Sequence, residues 1–181
     1  AIPAGASIDF ADTSTVGGSF ALTLNSGNAG TVAFGTTNAD ASARIGGASG
    51  ISRIGALTIA NAAGVTFNGQ VYAASVAQTA GTGTTAFNRL VDTNAVAGID
   101  LNGAAQTIND TVTTTGSGTV TFSNTGLLTL NGNVVSDGAV TQDGAGAVTI
   151  MAPRNITPTG DAVSFLRAVA PHGGSAGLVS I

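Results

Sequence analysis

The chain has 181 residues, long enough for one sizeable core, but only 8% of them are charged and the net charge is −4. All five cations are Arg and all nine anions are Asp, with no basic cluster to neutralise phosphates, which argues against nucleic acid as a partner. The hydrophobic content of 43% disfavours disorder, and no apolar run approaches the roughly 18 residues of a membrane-spanning helix, so we expect no membrane insertion.

The first part of the chain, residues 1–53, is loosely patterned. Ser7–Phe10 and Phe20–Asn25 alternate apolar and polar residues as strands do, and Gly30–Phe34 reads G-T-V-A-F, the first instance of a recurring strand. Between residues 35 and 53 the alternation weakens. We interpret that segment as a long loop or an irregular coil rather than a binding loop, because it has no aromatic residue and no cluster of polar groups.

The rest of the chain is an internal repeat. The strand Gly-x-apolar-small-apolar recurs as G-A-L-T-I at Gly55, G-T-V-T-F at Gly118, G-L-L-T-L at Gly126, G-A-V-T-I at Gly146 and G-L-V-S-I at Gly177. A constant offset of 63 residues separates Ile59 from Phe122, Phe67 from Leu130 and Phe87 from Ile150. Residues 54–116 and 117–181 are therefore interpreted as two copies of one unit, and residues 1–181 as a single domain.

The period of 63 divides into three coils of about 21 residues, close to the period of solenoid repeats. One coil cannot bury its apolar face alone, whereas stacked coils share a core. The sequence therefore predicts an all-β fold, a single-stranded β-solenoid, and more narrowly a right-handed parallel β-helix. Some eight or nine coils would give a rod roughly 40 Å long. An antiparallel meander is the competing fold, because Asn-Gly is also a favoured hairpin turn.

Three Asn-Gly pairs follow apolar strand ends, at Asn68, Asn102 and Asn131. We expect these asparagines at corners of the coils, with the following glycine at positive φ. Stacked corner asparagines would form a ladder of side-chain amides, a role that needs no ligand. The predicted core consists of strand-terminal apolar residues: Phe67, Phe87, Phe122, Leu130, Ile150 and Phe165.

The strands G-T-V-T-F, G-L-L-T-L-N-G and G-A-V-T-Q-D-G-A-G-A-V-T-I resemble the degenerate repeats of very large bacterial surface proteins, the filamentous-haemagglutinin-like and autotransporter-passenger proteins. The resemblance extends over residues 56–181. It implies right-handed parallel β-helices, export through an outer membrane to the cell surface, and roles in adhesion, biofilm or matrix. Host or matrix surface glycans are the partners that such roles imply.

Catalysis requires acids, bases or nucleophiles held together, and this sequence offers few. His172 is the one histidine, in a predicted Pro-His-Gly-Gly turn, and the chain has no Cys to complete a zinc site. Asp100 and Asp110 come nearest to the carboxylate pair of a polysaccharide-cleaving β-helix, but turns explain both, as they explain Asp137 and Asp143. The glycine- and aspartate-rich calcium repeat does not occur. We therefore expect no catalytic activity, no metal and no cofactor.

Threonine provides an alternative to adhesion. Thr111-Val-Thr-Thr-Thr and Thr119-Val-Thr are similar to the Thr-x-Thr ranks of ice-binding solenoids, although a true rank would recur at one place in every coil. β-Branched Thr also simply fills outward strand positions. Ice binding, and a carbohydrate-binding or carbohydrate-cleaving β-helix, are the two alternative functions.

The function that the sequence favours is a structural or adhesive segment of an extracellular bacterial surface or matrix protein, acting as a rigid spacer. The first five residues have neither a basic region nor a complete apolar region, so an exported protein would carry its secretion signal upstream. The repeat continues to the last residue without a polar cap. We therefore expect Val179 and Ile181 at one end, and Ile2 and Ile8 at the other, to continue the sheet between molecules, end to end into filaments.

Overall fold

The computed structural model describes residues 5–37, 43–47, 52–151, 153–172 and 179–180. Within these ranges the chain forms 22 strands and no helix, and hence no helix able to cross a membrane. In chain order the strands are β1 (Ile8–Phe10), β2 (Thr15–Val16), β3 (Leu22–Asn25), β4 (Thr31–Phe34), β5 (Arg44–Ile45), β6 (Ile54–Asn61), β7 (Gly64–Phe67), β8 (Val71–Gln78), β9 (Thr84–Phe87), β10 (Val91–Thr93), β11 (Ile99–Gly103), β12 (Ala105–Ile108), β13 (Val112–Thr114), β14 (Val120–Asn124), β15 (Leu128–Leu130), β16 (Val134–Ser136), β17 (Val140–Gln142), β18 (Val148–Met151), β19 (Arg154–Pro158), β20 (Val163–Phe165), β21 (Val169–His172) and β22 (Val179–Ser180).

The strands stack on three faces, and the chain visits the faces in turn. Face 1 holds β1, β4, β7, β9, β12, β15, β18 and β21. Face 2 holds β2, β5, β8, β10, β13, β16, β19 and β22, and face 3 holds β3, β6, β8, β11, β14, β17 and β20. The long strand β8 belongs to both faces 2 and 3, because it runs around the corner between them. The fold is therefore a three-faced β-solenoid of about seven turns.

Every described pairing between strands is parallel, which rules out the antiparallel meander. The 63-residue offset corresponds to three coils: Ile59 pairs with Gln78, Gln78 with Leu101, and Leu101 with Phe122. Phe67 reaches Leu130 in the same number of steps on face 1. The predicted division of the period into three coils is thus confirmed.

The core is a column of inward side chains from each face. On face 1 the rings of Phe10, Phe34, Phe67 and Phe87 stack in sequence, with centroids 4.1, 5.0 and 4.8 Å apart. Five of the six predicted core residues are buried: Phe67, Phe87, Phe122, Leu130 and Ile150. Phe165 is only partly buried, because it lies on β20, the last strand of face 3, and no described coil covers it.

The number of coils is smaller than the predicted eight or nine, because the coils differ in length. A coil on face 1 takes 20 residues between Val65 and Thr85, but 33 between Val32 and Val65. The longer coil contains the weakly patterned segment. Its described part includes β5 on face 2, and Ile45 is fully buried, so the segment is an irregular coil of the solenoid rather than a separate loop.

The prediction for the Asn-Gly pairs is partly wrong. Asn102 lies inside β11, in register with Ser123, and not at a corner. The glycines after Asn68, Asn102 and Asn131 do not have positive φ, although eight other described glycines do. Close approach of the backbone explains one of these positions: a Cβ on Gly132 would overlap the carbonyl oxygen of Asp110 in the preceding coil.

Candidate functional site

The two carboxylates suggested as a catalytic pair are not brought together. Asp100 is exposed on face 3 in β11, where it pairs with Ala77 and Thr121. Asp110 lies in the turn between β12 and β13, and its Oδ1 accepts a hydrogen bond from the backbone N–H of Thr111 at 2.7 Å. Asp110 therefore has the turn role that the sequence predicted, and Asp100 has a strand position instead.

Asp100 shares face 3 with another carboxylate, Asp143, which belongs to a later coil. Asp143 Oδ1 accepts a hydrogen bond from Ser123 Oγ at 2.5 Å. Desolvation by neighbouring groups, and to a lesser extent the negative charge of Asp143, raise the pKa of Asp100. The sequence did not signal this pair, because 43 residues separate two groups that coil stacking places on the same face.

The other candidates have structural surroundings. Asp137 Oδ2 accepts from the backbone N–H of Ser117 at 2.7 Å, and Ser117 is the described non-glycine residue with positive φ, 61°. His172 was predicted in a turn, but its backbone ends β21 and pairs with Met151. Within the described ranges, no three His, Cys, Asp or Glu residues form a group that could hold a metal ion.

An open depression on the surface surrounds Arg53, on the corner between faces 2 and 3. Arg53 forms an ion pair with Asp92 at 3.1 Å, and its guanidinium lies 5.6 Å from the ring centroid of Tyr72. It also donates to the carbonyl oxygens of Ala73, at 3.0 Å, and of Asp92. Ser19 and Asn94 complete an open depression of about 260 Å³. Asp92 balances the charge of Arg53. Because Ala73 and Asp92 belong to neighbouring coils, the contacts of Arg53 tie these coils together.

An asparagine ladder runs along the corner between faces 1 and 2. Asn88, Asn109 and Asn131 each donate a side-chain N–H to the side-chain oxygen of the asparagine one coil earlier, across 2.7, 2.6 and 2.7 Å. At the end of the ladder Asn68 donates to the carbonyl oxygen of Gly35 at 2.7 Å. The predicted ladder is confirmed for Asn68 and Asn131, whereas Asn88 and Asn109 were not predicted as members, because no glycine follows them.

Polar side chains also enter the core near the corner where the chain passes from face 3 to face 1. Gln142 Nε2 donates to Asn124 Oδ1 at 2.7 Å, and Asn124 Nδ2 donates to the carbonyl oxygen of Gly126 at 2.7 Å. Gln106 is fully buried and donates to the carbonyl oxygen of Leu101 at 3.1 Å, while its Oε1 accepts no hydrogen bond. These amides supply partners for buried backbone carbonyls where the chain turns.

The threonines lie on different faces. Thr111 and Thr113 flank the start of β13 on face 2, whereas Thr121 is on β14 of face 3, so the two sequence motifs do not form one rank. A different column is regular: the partly exposed Thr107, Thr129 and Thr149 pair in register on face 1. The same outward column contains no charge from β4 to β21; its members are Ala33, Thr66, Ala86, Thr107, Thr129, Thr149 and Ala170.

Comparison of the chain with protein-family models, with curated proteins and with solved structures found no match.

Proposed function

We propose that this chain is a rigid structural segment of an exported bacterial surface or matrix protein, acting as a spacer and as a scaffold for adhesion. The observation that carries the proposal is the unbroken stacking of face 1 through eight strands, with stacked rings inside and an asparagine ladder at its border. Seven steps of about 4.8 Å between neighbouring strands correspond to a rod of roughly 34 Å.

Three features support a mechanical rather than a chemical role. Each coil contacts mainly its neighbours, so stability is distributed along the rod. Several carboxylates have structural partners: Asp110 and Asp137 accept backbone hydrogen bonds in turns, and Asp92 forms an ion pair with Arg53. The outward surface is dominated by Thr, Ser, Asn and Ala, which limits non-specific electrostatic contacts. The resemblance of the strands to repeats of exported bacterial surface proteins adds support for an extracellular location.

Self-association is part of the proposal. The first strands of the faces, β1, β2 and β3, and the last ones, β20, β21 and β22, pair on one side only within the described part of the chain. Partly buried apolar side chains lie at both ends, Ile8 and Phe10 at one and Val163 and Val169 at the other. Unpaired strand edges beside apolar side chains favour the addition of another coil. Ile2 and Ile181, also expected to continue the sheet, lie outside the described residues.

Stretching single molecules between handles at the two termini tests the spacer role. We expect no extension at low force, then discrete steps as coils detach, each releasing about 21 residues or roughly 70 Å of contour length. A continuous extension at low force would contradict the proposal. Binding of the chain to a panel of surface glycans and matrix polymers tests the adhesive part, and turnover of any polysaccharide in that panel would favour the carbohydrate-cleaving alternative.

A second candidate function is ice binding, for which the favouring observation is the column Thr107, Thr129 and Thr149 on face 1, part of an outward column without charge from β4 to β21. The adjoining outward position carries Leu127, which is 46% exposed, so the second threonine of a Thr-x-Thr rank is missing there. An ice-recrystallisation assay tests this function. Inhibition by the chain that is lost in Thr129→Lys would support it, and no inhibition at any concentration would exclude it.

A further inference from the structure

The end-to-end contact proposed above does not involve the three faces equally. Faces 1 and 2 each contain eight of the described strands, whereas face 3 contains seven, because the chain follows β20 with β21 on face 1 and β22 on face 2. When β1 of a second copy pairs with β21, its β2 reaches β22, but its β3 lies one strand too far from β20. Face 1 is therefore the face with long strands that can carry the junction.

The register along face 1 determines which residues meet there. Val169 and Pro171 pair in register with Val148 and Ile150, and Ile8 and Phe10 hold the same two register positions in the first described strand of face 1. A second copy continued in this register places Ile8 over Val169 and Phe10 over Pro171. The apolar column that contains Ile8 and Val169 would continue, and Asp9 and Ala170 would both point outward.

The direction of the backbone N–H groups along face 1 is regular. The residue that follows the last inward position donates to the preceding coil: Asn109 N–H to Phe87 O at 2.8 Å, and Asn131 N–H to Ile108 O at 2.8 Å. Successive N–H groups of a strand point to opposite neighbours. The last inward residue of each face 1 strand therefore donates its N–H to the following coil.

In β21 the residue in register with Ile150 is Pro171, which has no N–H. The strand at the C-terminal edge of face 1 consequently lacks the donor that would reach the carbonyl oxygen of Asp9 in a second copy. Proline on an edge strand is one of the devices by which β-proteins limit edge-to-edge pairing. The first described strand, β1, contains no proline.

We propose that Pro171 is an edge-blocking residue, which keeps the end-to-end association of this chain weak by removing one hydrogen bond from the β21–β1 junction. The inference rests on the proposed end-to-end contact with a second copy. It assigns that contact to one strand pair, and it assigns the strength of the contact to one residue. The unpaired carbonyl oxygen left on Asp9 is the physical cost of the junction.

Sedimentation equilibrium of the full chain and its variants tests this assignment. Pro171→Ile introduces the residue found one coil earlier in the same column, Ile150, and should tighten self-association by about tenfold. The matched control is Pro158→Ser, which likewise introduces the residue of the preceding coil, Ser136, but on face 2. This control should leave the association constant unchanged.

A second variant tests the partner strand. Asp9→Pro, added to Pro171→Ile, removes the N–H by which β1 would donate to β21 and should return association to the wild-type level. Because the N–H of Asp9 points away from β4, the fold itself loses no hydrogen bond, which an unchanged melting curve would verify. If that curve changes, a peptide of residues 6–11 added to Pro171→Ile replaces the variant, and it should inhibit association.

Two results would overturn the assignment: no tightening in Pro171→Ile, or equal tightening in Pro158→Ser. Absence of association in both the wild type and Pro171→Ile would reject the end-to-end contact as well. The spacer role would stand in that case, because stretching a single molecule tests it independently of association.

Discussion

Asn109 links two neighbouring coils through its side chain, which donates to Asn88 Oδ1 at 2.6 Å and accepts from Asn131 Nδ2 at 2.7 Å. The amide group matches the spacing between coils, because a donor and an acceptor on one planar group point along the solenoid axis in opposite directions. The two inner members, Asn88 and Asn109, therefore each bond two neighbours, and removing one of them takes a hydrogen-bond partner from both.

Asn109→Ala should lower the free energy of unfolding by about 1–3 kcal/mol, since two side-chain hydrogen bonds are lost and their partners remain. Urea denaturation followed by circular dichroism measures the change. Asn102→Ala is the matched control, because Asn102 is exposed on face 3 outside the ladder, and its effect should stay within about 0.5 kcal/mol. Equal effects of the two substitutions would show that the ladder adds nothing to stability.

Phe67→Ala should destabilise the chain by about 3–5 kcal/mol, because Phe67 is 1% exposed and its ring stacks on both Phe34 and Phe87. Phe165→Ala should cost clearly less, because Phe165 is partly exposed on β20 at the end of the core. Thermal melting of the two variants makes the comparison. A larger loss for Phe165 than for Phe67 would contradict the described ends of the solenoid.

Gly132→Ala should destabilise the chain by about 1–3 kcal/mol, because the added Cβ overlaps the carbonyl oxygen of Asp110 and the two coils must separate locally. Gly64→Ala serves as the control, since its added Cβ would lie 3.6 Å from the nearest atom, an ordinary contact. Alanine already occupies the corresponding position in β12, at Ala105. Gly64→Ala should be neutral or stabilising, and a loss as large as that of Gly132→Ala would contradict the register on face 1.

The raised pKa of Asp100 makes stability depend on pH in a defined direction. The folded chain holds the proton of Asp100 more tightly than the unfolded chain, so this group contributes stability fully below its ordinary pKa of 3.8. That contribution is lost as the pH rises from 3.8 through the higher pKa that Asp100 has in the folded chain. Asp100→Asn should therefore be more stable than the wild type near neutral pH, and the difference should shrink in acid.

Carboxyl chemical shifts followed by NMR during a pH titration measure the pKa of Asp100 directly. Asp143→Asn should lower that pKa without returning it to the ordinary value, because desolvation is the larger cause and the charge of Asp143 the smaller one. No change of the Asp100 titration in Asp143→Asn would show that the two carboxylates do not interact across face 3.

The periodic part of the fold could be predicted from the sequence, because the strand pattern repeats with the geometry of the coils. Phe122 and Leu130 were assigned to the core from the alternation around them, and both are buried. The 63-residue offset could be divided into three coils because neighbouring coils have nearly equal lengths. The weakly patterned second coil obscured this regularity at the N-terminal end, where Phe10 and Phe34 stack beneath Phe67.

The lateral relations between coils could not be predicted in the same way. Whether Asn88 belongs to the ladder depends on its position relative to the corner, and the Asn-Gly motif pointed to Asn102 instead. Position 132 requires glycine because the backbone of the preceding coil approaches it closely, and the sequence around Gly132 does not reveal that approach. The electrostatic effect of Asp143 on Asp100 likewise depends on the stacking of coils, so the spacing of the two carboxylates in the sequence did not predict it.

The separation of two labelled positions along face 1 tests the rigid solenoid most directly. The chain contains no Cys, so Ala33→Cys and Thr149→Cys introduce two unique sites for spin labels on the same outward column. Five coil-to-coil steps of about 4.8 Å predict a separation of roughly 24 Å between these backbone positions, and electron–electron double resonance should show a single narrow distribution around it. A broad distribution, or one centred far from that distance, would contradict the rigid three-faced solenoid and the spacer role proposed from it.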